Sequence, residues 1–194
     1  KDFDNNGSLD QIMTCYREGK EYPFATKDQL SKQLNFLNKK FTSYHAFSGV
    51  TLEKLLSEDQ LKNALIKEAI ELQSFYIENL GNSEFITHPL PIEANFSPIM
   101  SIVSRDIDKD GLKDIIVAGN FYGFTPGMGR QDASIGLLLI NKGENDFESI
   151  DPSRSGIVIE GQVRNMSWID LANGKTALIV AKNNEPAEII ELGY

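Results

Sequence analysis

A chain of 194 residues, 41% of them hydrophobic, is long enough for one core or for a domain with an appended unit. Its net charge of −9 argues against a nucleic-acid partner, which needs a basic footprint, and no stretch approaches the ~18 apolar residues of a membrane span. The single cysteine, Cys15, excludes an intrachain disulfide, and the apolar run around it fits a small packed residue better than a reactive thiol.

The first element is an acidic loop, DFDNNGSLD at residues 2–10, and it recurs as DIDKDGLKD at residues 106–114. Oxygen-bearing side chains fall at loop positions 1, 3, 5 and 9, with Gly at position 6: Asp2, Asp4, Asn6 and Asp10 in one copy, Asp106, Asp108, Asp110 and Asp114 in the other. The carbonyls of Ser8 and Leu112 at position 7 complete the expected ligand set. A coiled loop brings alternate positions to one point, and Gly7 and Gly111 take a backbone conformation that a Cβ would obstruct. An all-oxygen donor set disfavours zinc and copper, and the loop size suits calcium better than the tight octahedron of magnesium. Two calcium ions are therefore expected, and they would raise the net charge from −9 to −5.

An EF-hand shares this opening but needs Glu at position 12 and flanking helices. Here position 12 is Met13 or Val117, and QIMTCY and IIVAGNFY after the loops read as strands. The plainer reading, an Asp/Asn/Gly turn without a cation, leaves several carboxylates to repel one another at short range.

Residues 27–68 read as helix. Thr26 and Gln29 form a capping box before Leu30, Leu34, Leu37 and Phe41; Ser57 and Gln60 form another before Leu61, Leu65 and Ile66. A helical hairpin is expected there. It either packs on its own domain or recruits a partner through Tyr44 and Phe47.

Two turns, NLGNSEF at 79–85 and NKGENDF at 141–147, share the form Asn-x-Gly-x-x-acid-Phe and read as hairpins. They are 62 residues apart, whereas the acidic loops are 104 apart; the difference of 42 equals the length of the helical segment 27–68. The segment is thus expected to be an insertion in the first of several repeats of about 62 residues. A third copy follows at 168–183, WIDLANGKTALIVAKN, which keeps Asp170, Asn173 and Gly174 but has Leu171 and Ala177 where ligands stood. Its metal site is expected to be lost.

Short strands at such a period predict radially repeated sheets. The expected fold is mainly β: a partial β-propeller of about two and a half four-stranded antiparallel blades over 1–194, with the helical hairpin inserted. Lys1 stands inside the first motif without an initiator Met, which points to a trimmed chain whose missing leader says nothing. Further blades, or a second copy, are expected to cover open sheet edges.

These motifs carry a resemblance. The ordered set DFDNNGSLD, YPF, the Asn-Leu-Gly turn, DIDKDGLKD, GNFYG and GRQDASIG, spanning Lys1 to about Leu192, resembles the FG-GAP/VCBS-repeat β-propellers, and most closely the Bacteroidetes VCBS-repeat proteins that end in an ASPIC/UnbV domain. The resemblance implies structural calcium, a secreted or surface-attached protein and no established reaction. Calcium sites of ~0.1–1 mM affinity fill outside cells and stay largely empty in cytosol, which points the same way: extracellular, cell-surface or periplasmic.

Reactive chemistry is sparse. His45 and His88 lie far apart without a metal-site pattern, no G-x-S-x-G elbow occurs, and FYGFTPGMGR lacks the Lys-Ser/Thr of a phosphate loop. The long loop from Gly119 to Ala133 concentrates Phe121, Tyr122, Phe124, Arg130 and Asp132, a set suited to stacking on a sugar or a peptide, or to plugging a sheet interface. The function expected is a non-enzymatic calcium-binding module for an extracellular protein or glycan. The alternatives are a polysaccharide-active enzyme, or part of a catalytic assembly, and a purely structural spacer.

Overall fold

The computed structural model describes residues 1–191, so Leu192, where the resemblance ends, lies outside the described residues. The chain divides into two compact units, one from Lys1 to Ile70 and one from Glu71 onward. It is mainly β, with several small antiparallel sheets, none of them closed.

In the first unit the acidic loop leads into a hairpin of β1 (Thr14–Arg17) and β2 (Lys20–Pro23). Five short helices follow where a hairpin of two was expected: α1 (Lys27–Gln33), α2 (Leu37–Lys40), α3 (Tyr44–Phe47), α4 (Leu52–Leu55) and α5 (Glu58–Leu61). Both predicted capping boxes form, with Thr26 and Ser57 as the caps. Leu30, Leu34, Leu37 and Phe41 are buried as the spacing requires, yet they belong to two helices, because Leu34 leaves helical geometry (φ −118°, ψ 84°). The expected continuation through Leu65 and Ile66 fails. Lys62 turns extended, Asn63 adopts a left-handed φ of 61°, and the two apolar side chains are left exposed. The Lys1 ammonium donates to the carbonyls of Gln60 (2.8 Å) and Lys62 (2.7 Å), placing a cation where the α5 carbonyls run out of partners.

The helices build the core of this unit. Leu30, Leu34, Leu37, Val50, Leu55 and Leu56 cluster, and Phe3 and Ile12, on either side of the acidic loop's last ligand, pack against them. Phe47 meets Phe41 edge-on at 5.5 Å, and the Tyr44 hydroxyl donates to the Asp28 carboxylate at 2.8 Å. Both aromatics thus have partners within the unit.

The second unit begins with a hairpin of β3 (Phe75–Gly81) and β4 (Glu84–Pro89). One four-stranded meander follows: β5 (Ile99–Arg105), β6 (Asp114–Gly119), β7 (Leu137–Gly143) and β8 (Asp146–Ile150). After α6 (Pro152–Ser155) comes a three-stranded sheet of β9 (Val163–Asp170), β10 (Thr176–Lys182) and β11 (Glu188–Glu191). The four-stranded sheet expected of each repeat forms once among the described residues, from β5 to β8. The strands before and after the helical segment lie in two separate two-stranded sheets, β1–β2 and β3–β4.

Both faces of the four-stranded sheet are covered. Ile116, Ala118, Leu138 and Ile140 pack on Val163, Met166, Leu178 and Val180 of the three-stranded sheet. From the opposite face, Val117, Leu139 and Phe147 meet Tyr76 and Leu90 of the β3–β4 region. Burial on both sides explains why β6 reads IIVA without polar alternation. Met166 N–H donates to Ser101 Oγ (2.8 Å) and Trp168 Nε1 to the Ser104 carbonyl (3.2 Å), fixing β9 against β5.

The repeated Asn-x-Gly turns are built alike. Asn79 pairs with Phe85 and Gly81 with Glu84, as Asn141 pairs with Phe147 and Gly143 with Asp146. Positions 82–83 and 144–145 all have positive φ, the two-residue geometry whose twist matches antiparallel strands. In each turn the Asn side-chain oxygen accepts from the Gly N–H at 2.9 Å.

Truncating Leu178, fully buried between the two larger sheets, should cost about 2–5 kcal/mol of unfolding free energy, whereas Leu65→Ser should change it by less than about 0.5 kcal/mol. Urea denaturation of the two variants checks this. Equal effects would contradict the burial assigned to both.

Candidate metal sites and recognition cleft

The two acidic loops adopt the same structure by the same hydrogen bonds. The N–H of position 6 donates to the aspartate at position 1: Gly7 to Asp2 Oδ2 (2.9 Å) and Gly111 to Asp106 Oδ2 (3.1 Å). Position 2 donates to the aspartate at position 9: Phe3 to Asp10 Oδ2 (2.8 Å) and Ile107 to Asp114 Oδ2 (2.7 Å). Position 5 donates to position 3, and position 7 to position 5, in both copies. Positions 4 and 6 have positive φ in each loop, at Asn5 and Gly7 and at Lys109 and Gly111.

This wiring turns the carboxylates inward. Asp2, Asp4 and Asp10 each present an oxygen within 4.8 Å of the other two, and so do Asp106, Asp108 and Asp114. Asp110 does not join its trio; its Oδ1 accepts from Leu112 N–H at 2.8 Å, the bond that Asn6 makes with Ser8 in the first loop. The Gly7 N–H, foremost among the contacts, holds the Asp2 carboxyl below its usual range. At the second site Asp106 Oδ1 is buried and has no hydrogen-bond partner, so its acceptor capacity is unused. Donor type, convergence and this orphaned oxygen all fit a hard divalent ion.

The aspartate at position 9 has a second task that spacing alone does not reveal. Asp114 is fully buried, and its Oδ1 accepts from Asn141 N–H (3.0 Å) while its Oδ2 holds Ile107. The acidic loop is thereby bolted to the Asn-x-Gly turn of the same repeat, two motifs far apart in sequence. Each oxygen keeps a further lone pair for an ion. The third copy has closed into a plain turn, with Leu171 N–H donating to the Lys175 carbonyl, and it gathers no acidic trio among the described residues.

The long loop after β6 folds over a buried amide. Asn120 is 2% exposed with φ 79°, and all its side-chain capacity is used. Its Oδ1 accepts from Ser97 Oγ (2.7 Å) and Ser134 N–H (3.0 Å), and its Nδ2 donates to the carbonyls of Ser134 (2.8 Å) and Gly161 (2.9 Å). Gly119 before it has no room for a side chain, since a Cβ would stand 1.7 Å from the Pro98 carbonyl oxygen. Sequence reasoning missed Asn120; the Gly-Asn pair at a strand end, ahead of a long loop, was the available signal.

Above this anchor Phe121 and Gln131 exchange both backbone hydrogen bonds, closing the loop at its base. Phe124 lies edge-on to Phe121 at 5.0 Å, and the Arg130 guanidinium sits 4.9 Å from the centre of the Tyr122 ring. Tyr122 and Arg130 line a cleft of about 410 Å³ together with residues of β9 and the β10–β11 turn. Of the five predicted recognition residues, Phe121, Phe124 and Asp132 are not in that lining; Asp132 is exposed, and Phe124, itself exposed, lies edge-on to Phe121.

Asn120→Ala strands four partners and keeps a left-handed φ, so a loss of about 1–3 kcal/mol or more is expected. Protease cutting should rise within 121–133. A variant of unchanged stability and cutting would show that the amide does not hold the loop.

Compared with protein-family models, with curated proteins and with solved structures, the chain finds no match.

Proposed function

We propose that this chain is a calcium-stapled β module of the FG-GAP/VCBS β-propeller kind, acting outside the cytoplasm as a non-enzymatic binding unit. One observation carries the reading: two loops remote in sequence share one hydrogen-bond scheme that gathers three carboxylates each, and one of them leaves Asp106 Oδ1 without a partner. A turn without a cation has no need of the inward acids. Asp2, Asp4 and Asp10, and Asp106, Asp108 and Asp114, would hold the ions, with Asn6, Asp110 and the carbonyls of Ser8 and Leu112 as further oxygen donors.

A bound ion supplies positive charge and no reaction of its own here. Its effect is on stability: at a hundredfold excess over Kd, binding to the folded state alone adds about 2.7 kcal/mol. Ligand recognition belongs to the loop after β6, where Tyr122 and Arg130 border a cleft on a rigid base. An enzymatic reading would need convergent acids or a histidine in that cleft; its lining holds one acid, Glu185, and no histidine.

Asp106→Asn and Asp4→Asn should each lower the melting temperature in calcium and change it little in chelator. Thermal melts in both buffers decide. Equal destabilisation in both would mean that the aspartates act through hydrogen bonds alone.

A further inference from the structure

We propose that the cleft beside the loop after β6 binds a carboxylate-bearing saccharide, with Arg130 and Arg164 gripping the carboxylate. This deepens the binding role above and rests on it for its biological sense, but the cleft is built without any metal ligand.

Arg130 lies 4.9 Å from the centre of the Tyr122 ring and Arg164 6.0 Å from that of Phe121. A guanidinium beside an aromatic ring is attracted to it and still has donors to offer a planar anion. Neither arginine makes an ion pair among the described residues. Two arginines free of carboxylates are noteworthy in a chain of net charge −9.

The buried amide of Gln162 sets the floor. Its nitrogen faces the Asn183 amide at 2.8 Å. With its oxygen turned toward the donors around it, it accepts from Tyr122 N–H (3.1 Å) and Arg164 Nη2 (3.0 Å). It therefore fixes the loop carrying Tyr122 and the position of Arg164 together.

The rest of the lining selects for sugar over peptide. Asn184 and Glu185 offer donors and acceptors suited to hydroxyls, and no aliphatic side chain lines the cleft, so a peptide side chain finds no apolar pocket. Glu185 lies against Gly161, where a Cβ would stand 2.6 Å from its Oε2, so the glycine makes room for the acid. Two arginines and one glutamate leave a local charge of +1, enough to favour a single carboxylate while the acidic surroundings disfavour dense polyanions.

The test titrates the full chain, with calcium and again in chelator, with a methyl galacturonoside, a uronate bearing one carboxylate, with its neutral methyl ester, and with an acidic peptide, following binding by calorimetry. Binding of the uronate at least tenfold tighter than the ester or the peptide is expected, and Arg164→Gln and Arg130→Gln should each weaken it at least tenfold without moving the melting temperature. Arg164→Lys should recover only part, because an ammonium cannot grip a carboxylate in two places. If a Gln variant unfolds, Arg164→Lys carries the comparison. Equal binding of ester and uronate, preference for the peptide, no binding of the uronate, or undiminished binding by the arginine variants would overturn the proposal. Failure of calcium to bind, with uronate binding intact, would sink the calcium staple and leave the cleft standing.

Discussion

Three aspartates held with oxygens within 4.8 Å of one another form the constraint around which each acidic loop is organised. Two unit charges about 4 Å apart repel by about 4 kcal/mol at an effective dielectric constant near 20, less where water reaches them. Backbone N–H groups offset part of this: Gly7 and Gly111 donate to the first aspartate, and Phe3 and Ile107 to the last. A divalent cation reverses the sign of what remains. The constraint also propagates, because Asp114 holds Asn141 as well as Ile107, and Asn141 in turn accepts from Gly143 to shape the β7–β8 hairpin. A change of charge in the loop is thus one hydrogen bond away from the sheet.

The segments that carry these motifs differ in what they form. Around the second acidic loop, four strands and the Asn141 turn form one continuous sheet whose two faces are both covered by apolar neighbours. At 168–183, where Leu171 and Ala177 stand in place of acids, a backbone-bonded turn joins β9 and β10, with Asp170 and Lys175 at its ends. Around the first acidic loop, the helices between β2 and β3 supply a core of leucines, and β1–β2 and β3–β4 lie in separate two-stranded sheets.

Much of this was legible in the sequence, and the reasons are physical. Loop position and side-chain chemistry are coupled locally, so the acidic loops, the Asn-x-Gly turns and both capping boxes could be read from spacing alone. The helices themselves were read too long: Leu34 and Asn63 break the runs through backbone conformations that apolar periodicity does not encode. The Asp114–Asn141 bond and the Asn120 network were invisible for another reason. They join residues distant in sequence, and an aspartate or asparagine looks the same whether it binds a cation, caps a turn or ties two strands. Of the residues that line the cleft, Tyr122 and Arg130 were read from composition, whereas Gln162 and Arg164 enter only when β9 is brought beside the loop.

The central claim, that the two acidic loops are cation sites, is tested most directly by a calorimetric calcium titration of chelator-stripped protein with magnesium as control. The account predicts two sites, calcium favoured over magnesium. Absence of calcium binding, or equal weak binding of both ions, would show that the carboxylates converge for the sake of the turn alone, and would contradict it.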